Sequence, residues 1–197
     1  MLKIDKSIFE YTFTVVDIET TGFSPYKGAE IIEISAVKIK EGLRLDLNTH
    51  FTTLVKPNKP ISPEITEINK IDNDMIKDAP FIDEVLPQFA NFVENTIFLA
   101  HNAKFDFSFL NYYMKKFCID CKLLYVLDTV KISKRYLPHL KRYNLDNLIK
   151  HFDINIEIKG SERHRAFYDA VNTSIVFLKI VEKMKISKLP LNLESLI

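Results

Sequence analysis

Apolar and polar positions occur in short runs over the first part of the chain, a pattern typical of β-strands. Residues 11–19, 30–39 and 47–55 predict three strands, and the short connections between them favour an antiparallel meander. Two further apolar runs, at residues 96–100 and 123–128, predict a fourth and a fifth strand. The segments between residues 55 and 96 and between residues 100 and 123 are long enough to form helices.

Apolar residues at helical spacing occupy several of these longer segments. Residues 80–94 predict a helix in which Pro87 imposes a late start or a kink. Another helix is predicted just after residue 100, and a short one follows Asn144, which is placed as its N-terminal cap. Residues 165–185 predict a long last helix. Strands and helices in this order indicate one mixed α/β unit.

The composition is that of an ordinary globular domain, with 47% apolar and 27% charged residues in 197. We assign residues 1–185 to the domain and residues 186–197 to a short C-terminal tail. The tail loosely resembles sliding-clamp-binding peptides but lacks their leading Gln, so a frayed terminus is the favoured interpretation. No apolar run is long enough to cross a membrane, and no signal-peptide core is evident near the start. We therefore expect a cytoplasmic protein with no membrane partner.

The charge and the cysteines bear on whether the chain binds nucleic acid or zinc. The net charge of +1 excludes a global polycation, but residues 131–142 contain five Lys or Arg and no acid. Such a run is usually a solvated surface, although it can also offset a phosphate backbone. Cys118 and Cys121 have no second Cys or His pair that would complete a zinc site, which makes them two ordinary thiols.

Two acids stand at the end of the first predicted strand. Asp17 and Glu19 are two residues apart, so both side chains leave the strand on the same face. Neighbouring carboxylates repel each other unless a positive charge lies between them, and a divalent cation is the usual solution. A strand end whose acids simply face water is the alternative, and this segment alone does not decide between them.

Two more acids stand near predicted helix starts. Asp106 follows the fourth strand, and Asp169 lies near the start of the last helix, five residues after His164. Five residues correspond to a rotation of about 140° on an α-helix, so His164 can face the same site only from the preceding loop or the first turn. Histidine is suited to act as a general base near neutral pH. Four carboxylates are suited to a pair of Mg²⁺ or Mn²⁺ ions, whereas thiolates are missing from these positions.

Three motifs contain these residues, and together they resemble the exonuclease motifs of the DnaQ-like family. They appear in the family's order and at similar separations: Asp17-x-Glu19-Thr20-Thr21-Gly22, His101-Asn102-x-x-Phe105-Asp106 and His164-x-Ala166-x-x-Asp169. The His five residues before the last Asp is typical of the DEDDh subgroup. Within the family, the chain most resembles the proofreading exonuclease of bacterial DNA polymerase III, of the PolC or epsilon type.

The resemblance implies a ribonuclease H-like α/β fold, with a five-stranded mixed sheet flanked by helices. It also implies that four acids hold two divalent ions, Mg²⁺ or Mn²⁺, and that His164 takes the proton from the attacking water. The implied metal ligands are Asp17, Glu19, Asp106 and Asp169. The implied substrate-binding residues are Thr20, Thr21, Gly22 and Phe23 around the 3′-terminal nucleotide, with His101, Asn102 and Phe105 around the next.

Two positions depart from the family's pattern. Phe23 stands where relatives usually have an aliphatic residue, and its ring could stack on the terminal base or pack on its own loop. Lys70 stands where relatives commonly have a Gly, which would impose a steric penalty if the turn needs a positive φ.

The expected function is a metal-dependent 3′→5′ exonuclease that releases nucleoside 5′-monophosphates from single-stranded DNA in proofreading or repair. A replicative polymerase subunit is a candidate partner. RNA remains open as the substrate, because no residue clearly recognises the 2′-hydroxyl. A non-catalytic binding module is disfavoured because no acid has been lost. A phosphatase with an aspartyl nucleophile at Asp17 would leave the other two motifs unexplained.

Overall fold

The computed structural model describes residues 4–157 and 164–197, and their strands form one mixed sheet. The sheet order is β3-β2-β1-β4-β5; β1 pairs antiparallel with β2, and β2 with β3, whereas β1–β4 and β4–β5 are parallel. The predicted meander and the five-stranded mixed sheet are thus confirmed. The strands are β1 (Phe13–Thr20), β2 (Ile31–Lys40), β3 (Arg44–Leu54), β4 (Ile97–Ala100) and β5 (Tyr125–Asp128).

Helices cover both faces of this sheet. In the described residues they are α1 (Pro63–Asn69), α2 (Asn73–Ile76), α3 (Ile82–Val93), α4 (Ala103–Lys116), α5 (Thr129–Tyr136), α6 (Leu145–His151) and α7 (Ala166–Ile186). The predicted helices correspond to α3, α4, α6 and α7, whereas α1, α2 and α5 were not predicted. Helix α3 begins at Ile82 and includes Pro87, so the predicted late start is wrong, whereas the kink at Pro87 stays a prediction. Among the described residues, we find no helix with the length and apolar character needed to span a membrane.

The alternation of side chains along β1 divides the core into two layers. Phe13 and Val15 belong to the cluster packed under α7, and the Phe13 ring lies 5.1 Å from that of Phe177. Val16 and Ile18 belong to the opposite cluster, under α3 and α4. Side chains at odd-numbered positions of β1 face α7. Asp17 and Glu19 are the next odd-numbered residues, so their carboxylates are directed toward the start of that helix.

The turn after α1 places Lys70, where relatives commonly have Gly, at a positive φ. Lys70 adopts φ 61° as the C-terminal cap of α1, and its backbone N–H donates to the carbonyl of Thr66 over 2.9 Å. A left-handed cap suits Gly best, so this lysine carries the expected steric cost.

The C-terminal tail is docked, and its interpretation as a frayed terminus is wrong. Leu193 and Leu196 are only 0% and 3% exposed and join the core cluster beneath α7. The carbonyl of Ser195 accepts hydrogen bonds from Arg135 (2.9 Å) and Tyr136 (2.6 Å) of α5. In the clamp-like stretch at residues 187–193, Leu193 is buried and Leu191 packs against the core cluster, whereas Leu189 is exposed.

One lysine lies inside the core between β1, β2 and α3. Lys38 is 8% exposed, and its Nζ donates to the Thr14 hydroxyl (2.7 Å) and to the Phe92 carbonyl. Its Nζ also lies 4.4 Å from the centre of the Phe92 ring. Burial disfavours the charged form and lowers the pKa of Lys38 to about 8.

The lowered pKa of Lys38 makes the free energy of unfolding depend on pH. Between about pH 8 and about pH 10.4 the unfolded chain keeps the proton that the folded chain has lost, so stability rises with pH. We expect the free energy of unfolding of the wild-type chain, relative to Lys38→Met, to rise by about 1 kcal/mol per pH unit across this window. Urea titrations of both chains from pH 7 to pH 10 measure the difference, and a flat or falling difference contradicts the prediction.

Candidate active site

The site forms where the chain order of the sheet reverses, between β1 and β4. The two strands pair in parallel only as far as Val15 and Leu99, and beyond this point they separate. The backbone N–H of Ile18 is thereby released from the sheet and donates to Oδ1 of Asp106 over 3.1 Å. Clefts beyond the carboxyl ends of parallel strands, at such a reversal, are the usual ligand sites of α/β sheets.

Three carboxylates from two elements meet in this cleft. Asp17 and Glu19 continue the face of β1 that is directed toward α7, and Asp169 comes from the first turn of α7. Each of the three offers an oxygen within 4.8 Å of the other two. Asp169 is only 5% exposed, so its charge is largely removed from water. Closely spaced oxygen donors of this kind fit a hard divalent cation.

The fourth acid lies deeper, at the start of α4. Asp106 is 3% exposed, and burial raises the pKa of its carboxyl to about 8, with a further increase from the nearby charge of Asp128. The backbone N–H groups of Asp106 itself and of Ile18 act in the opposite direction. A buried acid with a raised pKa favours its ionised form only when a positive charge is close, as a bound cation would provide.

His164 lies at the mouth of the same cleft, in the loop before α7, and it is exposed. Its backbone adopts φ 66°, a left-handed conformation that is uncommon outside Gly. The cleft has a volume of about 780 Å³. The predicted catalytic set is thus brought together in one cleft: Asp17, Glu19, Asp106, His164 and Asp169.

Three cations line the same cleft as the acids. They are Lys134 from α5 and Lys141 and Arg142 from the loop that follows. All three belong to the acid-free run at residues 131–142, so part of this run lines the cleft. Cations of this kind pair with phosphate oxygens.

The residues predicted around the second nucleotide also line the cleft: His101, Asn102 and Phe105. Nδ1 of His101 lies 2.9 Å from the hydroxyl of Thr129, which fixes the imidazole ring. The backbone N–H of Asn102 donates to Oδ1 of Asp128 over 3.1 Å. Because Asp128 ends β5 and Thr129 begins α5, these contacts tie the start of α4 to the junction between β5 and α5.

The segment predicted to hold the 3′-terminal nucleotide is not among the residues that line the cleft. It comprises Thr20, Thr21, Gly22 and Phe23. The Thr20 hydroxyl donates to the Gly22 carbonyl (2.7 Å), and the Thr21 hydroxyl accepts from the N–H of Glu30 (2.9 Å), so both help to form the turn. Phe23 is 95% exposed, which excludes the alternative that its ring packs on its own loop.

The sequence interpretation missed Glu33, which lies directly opposite Glu19 in the β1–β2 register. Like charges at such a pair of positions are unfavourable. Arg165 resolves the conflict, since its Nη2 lies 2.7 Å from Oε1 of Glu33 while its Nε donates to the same carboxylate. Glu33 Oε2 also accepts from the N–H of Ala166 at the start of α7 (3.0 Å). Glu33 thereby fixes the helix that carries Asp169 and the residue after His164.

Comparison with known proteins decides which family these features represent. The model of the exonuclease family RNase_T matches residues 14–177 of the chain. The chain belongs to this exonuclease family. The match contains all three acidic motifs, and it confirms the resemblance to DnaQ-like exonucleases and the assignment of the chain as an exonuclease.

Curated relatives of this exonuclease chain include bacterial proteins named DNA polymerase III PolC-type. The one from Caldanaerobacter subterraneus subsp. tengcongensis is 44% identical over 176 residues, which cover 89% of this chain and 12% of that protein. The one from Thermotoga petrophila is 40% identical over 185 residues, covering 93% of this chain and 13% of that protein. The exonuclease chain therefore spans about an eighth of the length of these relatives.

Solved structures of other exonucleases share the fold. Exonuclease X in complex with 5′ overhanging duplex DNA is 25% identical, with a TM-score of 0.70 over 93% of this chain and 99% of that one. The nuclease domain of 3′hExo, a DEDDh family member bound to rAMP, is 16% identical with a TM-score of 0.70, covering 95% and 98% of the two chains. The predicted ribonuclease H-like fold is thereby confirmed.

The Glu33–Arg165 pair gives a stability prediction that needs no substrate. Glu33 is buried and its carboxylate accepts hydrogen bonds from both Arg165 and the N–H of Ala166, so Glu33→Gln should lower the free energy of unfolding by about 1.5–3 kcal/mol. In the double variant with Arg165→Met the loss should be smaller than the sum of the single losses, with a coupling energy of about 1–3 kcal/mol. Chemical denaturation of the four chains measures this. Additivity within about 0.5 kcal/mol would show that the pair does not fix α7.

Proposed function

We propose that the chain hydrolyses single-stranded DNA from its 3′ end and releases nucleoside 5′-monophosphates, using two divalent metal ions. The observation that carries this proposal is the shared cleft, which four acids, His164 and three cations line together. Membership of the exonuclease family supplies the reaction class. The cleft supports the proposed mechanism, because it offers acids that can bind metal ions, cations that can bind phosphates and a histidine that can accept a proton.

The donor set fits hard divalent cations such as Mg²⁺ or Mn²⁺. Oxygens of Asp17, Glu19 and Asp169 converge within 4.8 Å, and Asp106 lines the same cleft. Bound there, such ions supply charge neutralisation for the scissile phosphate and for the leaving oxygen, and they make water more acidic. We assign the four acids as the ligands of these ions.

His164 is the proposed general base. It is exposed at the mouth of the cleft, so its ring can meet a water that enters with the substrate. The water oxygen forms a bond to phosphorus as its proton passes to the imidazole, and the bond from phosphorus to the 3′-oxygen of the preceding nucleotide breaks. Lys134, Lys141 and Arg142 lie where they can hold phosphate oxygens during this step.

The terminal nucleotide is proposed to reach the turn after β1. Thr20, Thr21 and Gly22 form this turn, and the ring of Phe23, 95% exposed, offers a face on which a base can stack. His101, Asn102 and Phe105 are proposed to border the next nucleotide along the strand. Base stacking does not depend strongly on sequence, which suits an enzyme that must accept any 3′ end.

Proofreading is the proposed context because the curated relatives are named DNA polymerase III PolC-type. Each is a much longer protein, of which this chain matches 12–13%. A polymerase subunit is therefore the proposed partner. Clamp binding through the tail has little support, because Leu193 and Leu196 are buried in the core.

Activity on labelled oligonucleotides tests the proposed function. With Mg²⁺ or Mn²⁺, the wild-type chain should shorten single-stranded DNA from the 3′ end and release 5′-monophosphates. His164→Ala should reduce kcat by about 10²–10⁴-fold through loss of the base, and Asp17→Asn should reduce it at least as much through loss of metal affinity. His139→Ala and Asp153→Asn, which change an exposed histidine and an exposed acid elsewhere, serve as matched controls.

Matched DNA and RNA oligonucleotides separate the two candidate substrates. We expect a higher kcat/KM on DNA, and a preference for RNA would replace the proofreading proposal by an RNA-trimming one. Undiminished activity in Asp17→Asn or His164→Ala would contradict the assignment of these residues.

A further inference from the structure

A second groove adjoins the acidic cleft, beside the first turn of α4. It has a volume of about 500 Å³ and is walled by α4, β5, α5 and the last two residues of the chain. Asn102, Val130 and Lys134 line both this groove and the acidic cleft. The two depressions are therefore adjacent, so that a chain-like ligand bound in the cleft can extend toward the groove.

Lysine side chains outnumber acidic side chains in this groove, three to one. Lys104 from α4 and Lys131 from α5 line it, both are exposed, and Lys134 lies at the junction with the acidic cleft. Within residues 4–157 and 164–197, neither Lys104 nor Lys131 forms an ion pair. Their charges are therefore available to a ligand.

One acid also lines the groove, but its carboxylate is already engaged. Oδ1 of Asp128 accepts hydrogen bonds from the backbone N–H groups of Asn102 (3.1 Å) and Val130 (2.8 Å). The second of these bonds caps α5, at whose N-terminus a negative charge is favourable. Asp128 thus serves the fold and offsets the lysines only in part.

Aromatic and aliphatic side chains form the floor between the lysines. Phe107 and Tyr125 are half-buried, and the Phe107 ring is held edge-on against Phe98 with the ring centres 5.9 Å apart. Leu196 closes one side from the docked tail. A positive groove with aromatic surface is the combination by which proteins bind single-stranded nucleic acid without reading its sequence.

We propose that this groove, defined by Lys104, Phe107, Tyr125 and Lys131, binds the part of a single-stranded nucleic acid that lies 5′ of the two nucleotides in the acidic cleft. This proposal rests on the proposed function, from which it takes the position of the 3′ end in the acidic cleft. With the scissile phosphate at the acids and the second nucleotide at Asn102, the strand leaves the cleft past Asn102. The groove begins at that residue. The enzyme then holds a longer strand more tightly than a dinucleotide.

Binding measurements on strands of different length test this groove. Fluorescence anisotropy in EDTA, where hydrolysis cannot compete, gives Kd for a labelled single-stranded DNA 12-mer and for its 3′-terminal dinucleotide. For Lys104→Ala/Lys131→Ala we expect Kd for the 12-mer to rise by about tenfold at low salt. The slope of log Kd against log salt should fall by about 1.4, or about 0.7 for each lost phosphate contact. The dinucleotide should bind this variant as it binds the wild-type chain.

A charge-matched variant shows whether the position of the lysines matters. Lys115→Ala/Lys185→Ala removes the same charge from the last turns of α4 and α7, and it should leave both Kd values unchanged. The proposal is overturned if both variants lose 12-mer affinity equally, or if the groove variant loses none. It is also overturned if the wild-type chain binds the 12-mer no more tightly than the dinucleotide. Hydrolysis of the wild-type substrate in Mg²⁺ reports separately on the proposed function, so the two can fail independently.

Discussion

Mutual repulsion of carboxylates is the constraint on which the rest of this structure depends. Asp17, Glu19 and Asp169 offer oxygens within 4.8 Å of one another, and Asp106 lies buried beside them with its pKa raised to about 8. Carboxylates this close repel one another, and divalent cations relieve that repulsion. The scaffold must therefore hold the acids in place against their own charge.

Two features of the scaffold provide this restraint. The separation of β1 from β4 releases the N–H of Ile18, which holds the carboxylate of Asp106. On the other face, Glu33 binds both Arg165 and the first N–H of α7, and so fixes the helix that carries Asp169. Arg165 also neutralises Glu33, which lies opposite Glu19 and would otherwise add to the repulsion. Lys134, Lys141 and Arg142 line the same cleft, which therefore offers both carboxylates and cations to a phosphodiester.

Local sequence patterns were sufficient for the strands of the sheet and for grouping the catalytic residues. Alternation in β1 predicts that Asp17 and Glu19 share a face, and the structure places both on the face toward α7. Contacts between residues far apart in the sequence could not be predicted from local patterns. Glu33 and Arg165 are 132 residues apart, and only the presence of a charge within a strongly apolar strand hinted at a buried partner. The tail was mistaken for a frayed end because its leucines find their core only in three dimensions.

The metal pair can be observed directly by anomalous scattering from crystals of the chain soaked with Mn²⁺ and a nucleoside 5′-monophosphate. Two anomalous peaks are expected in the cleft bounded by Asp17, Glu19 and Asp169, about 3.5–4 Å apart. Asp169→Asn crystals treated in the same way should lose at least one of them. Peaks confined to other surfaces, or a cleft without anomalous signal at saturating Mn²⁺, would contradict two-metal hydrolysis by this exonuclease.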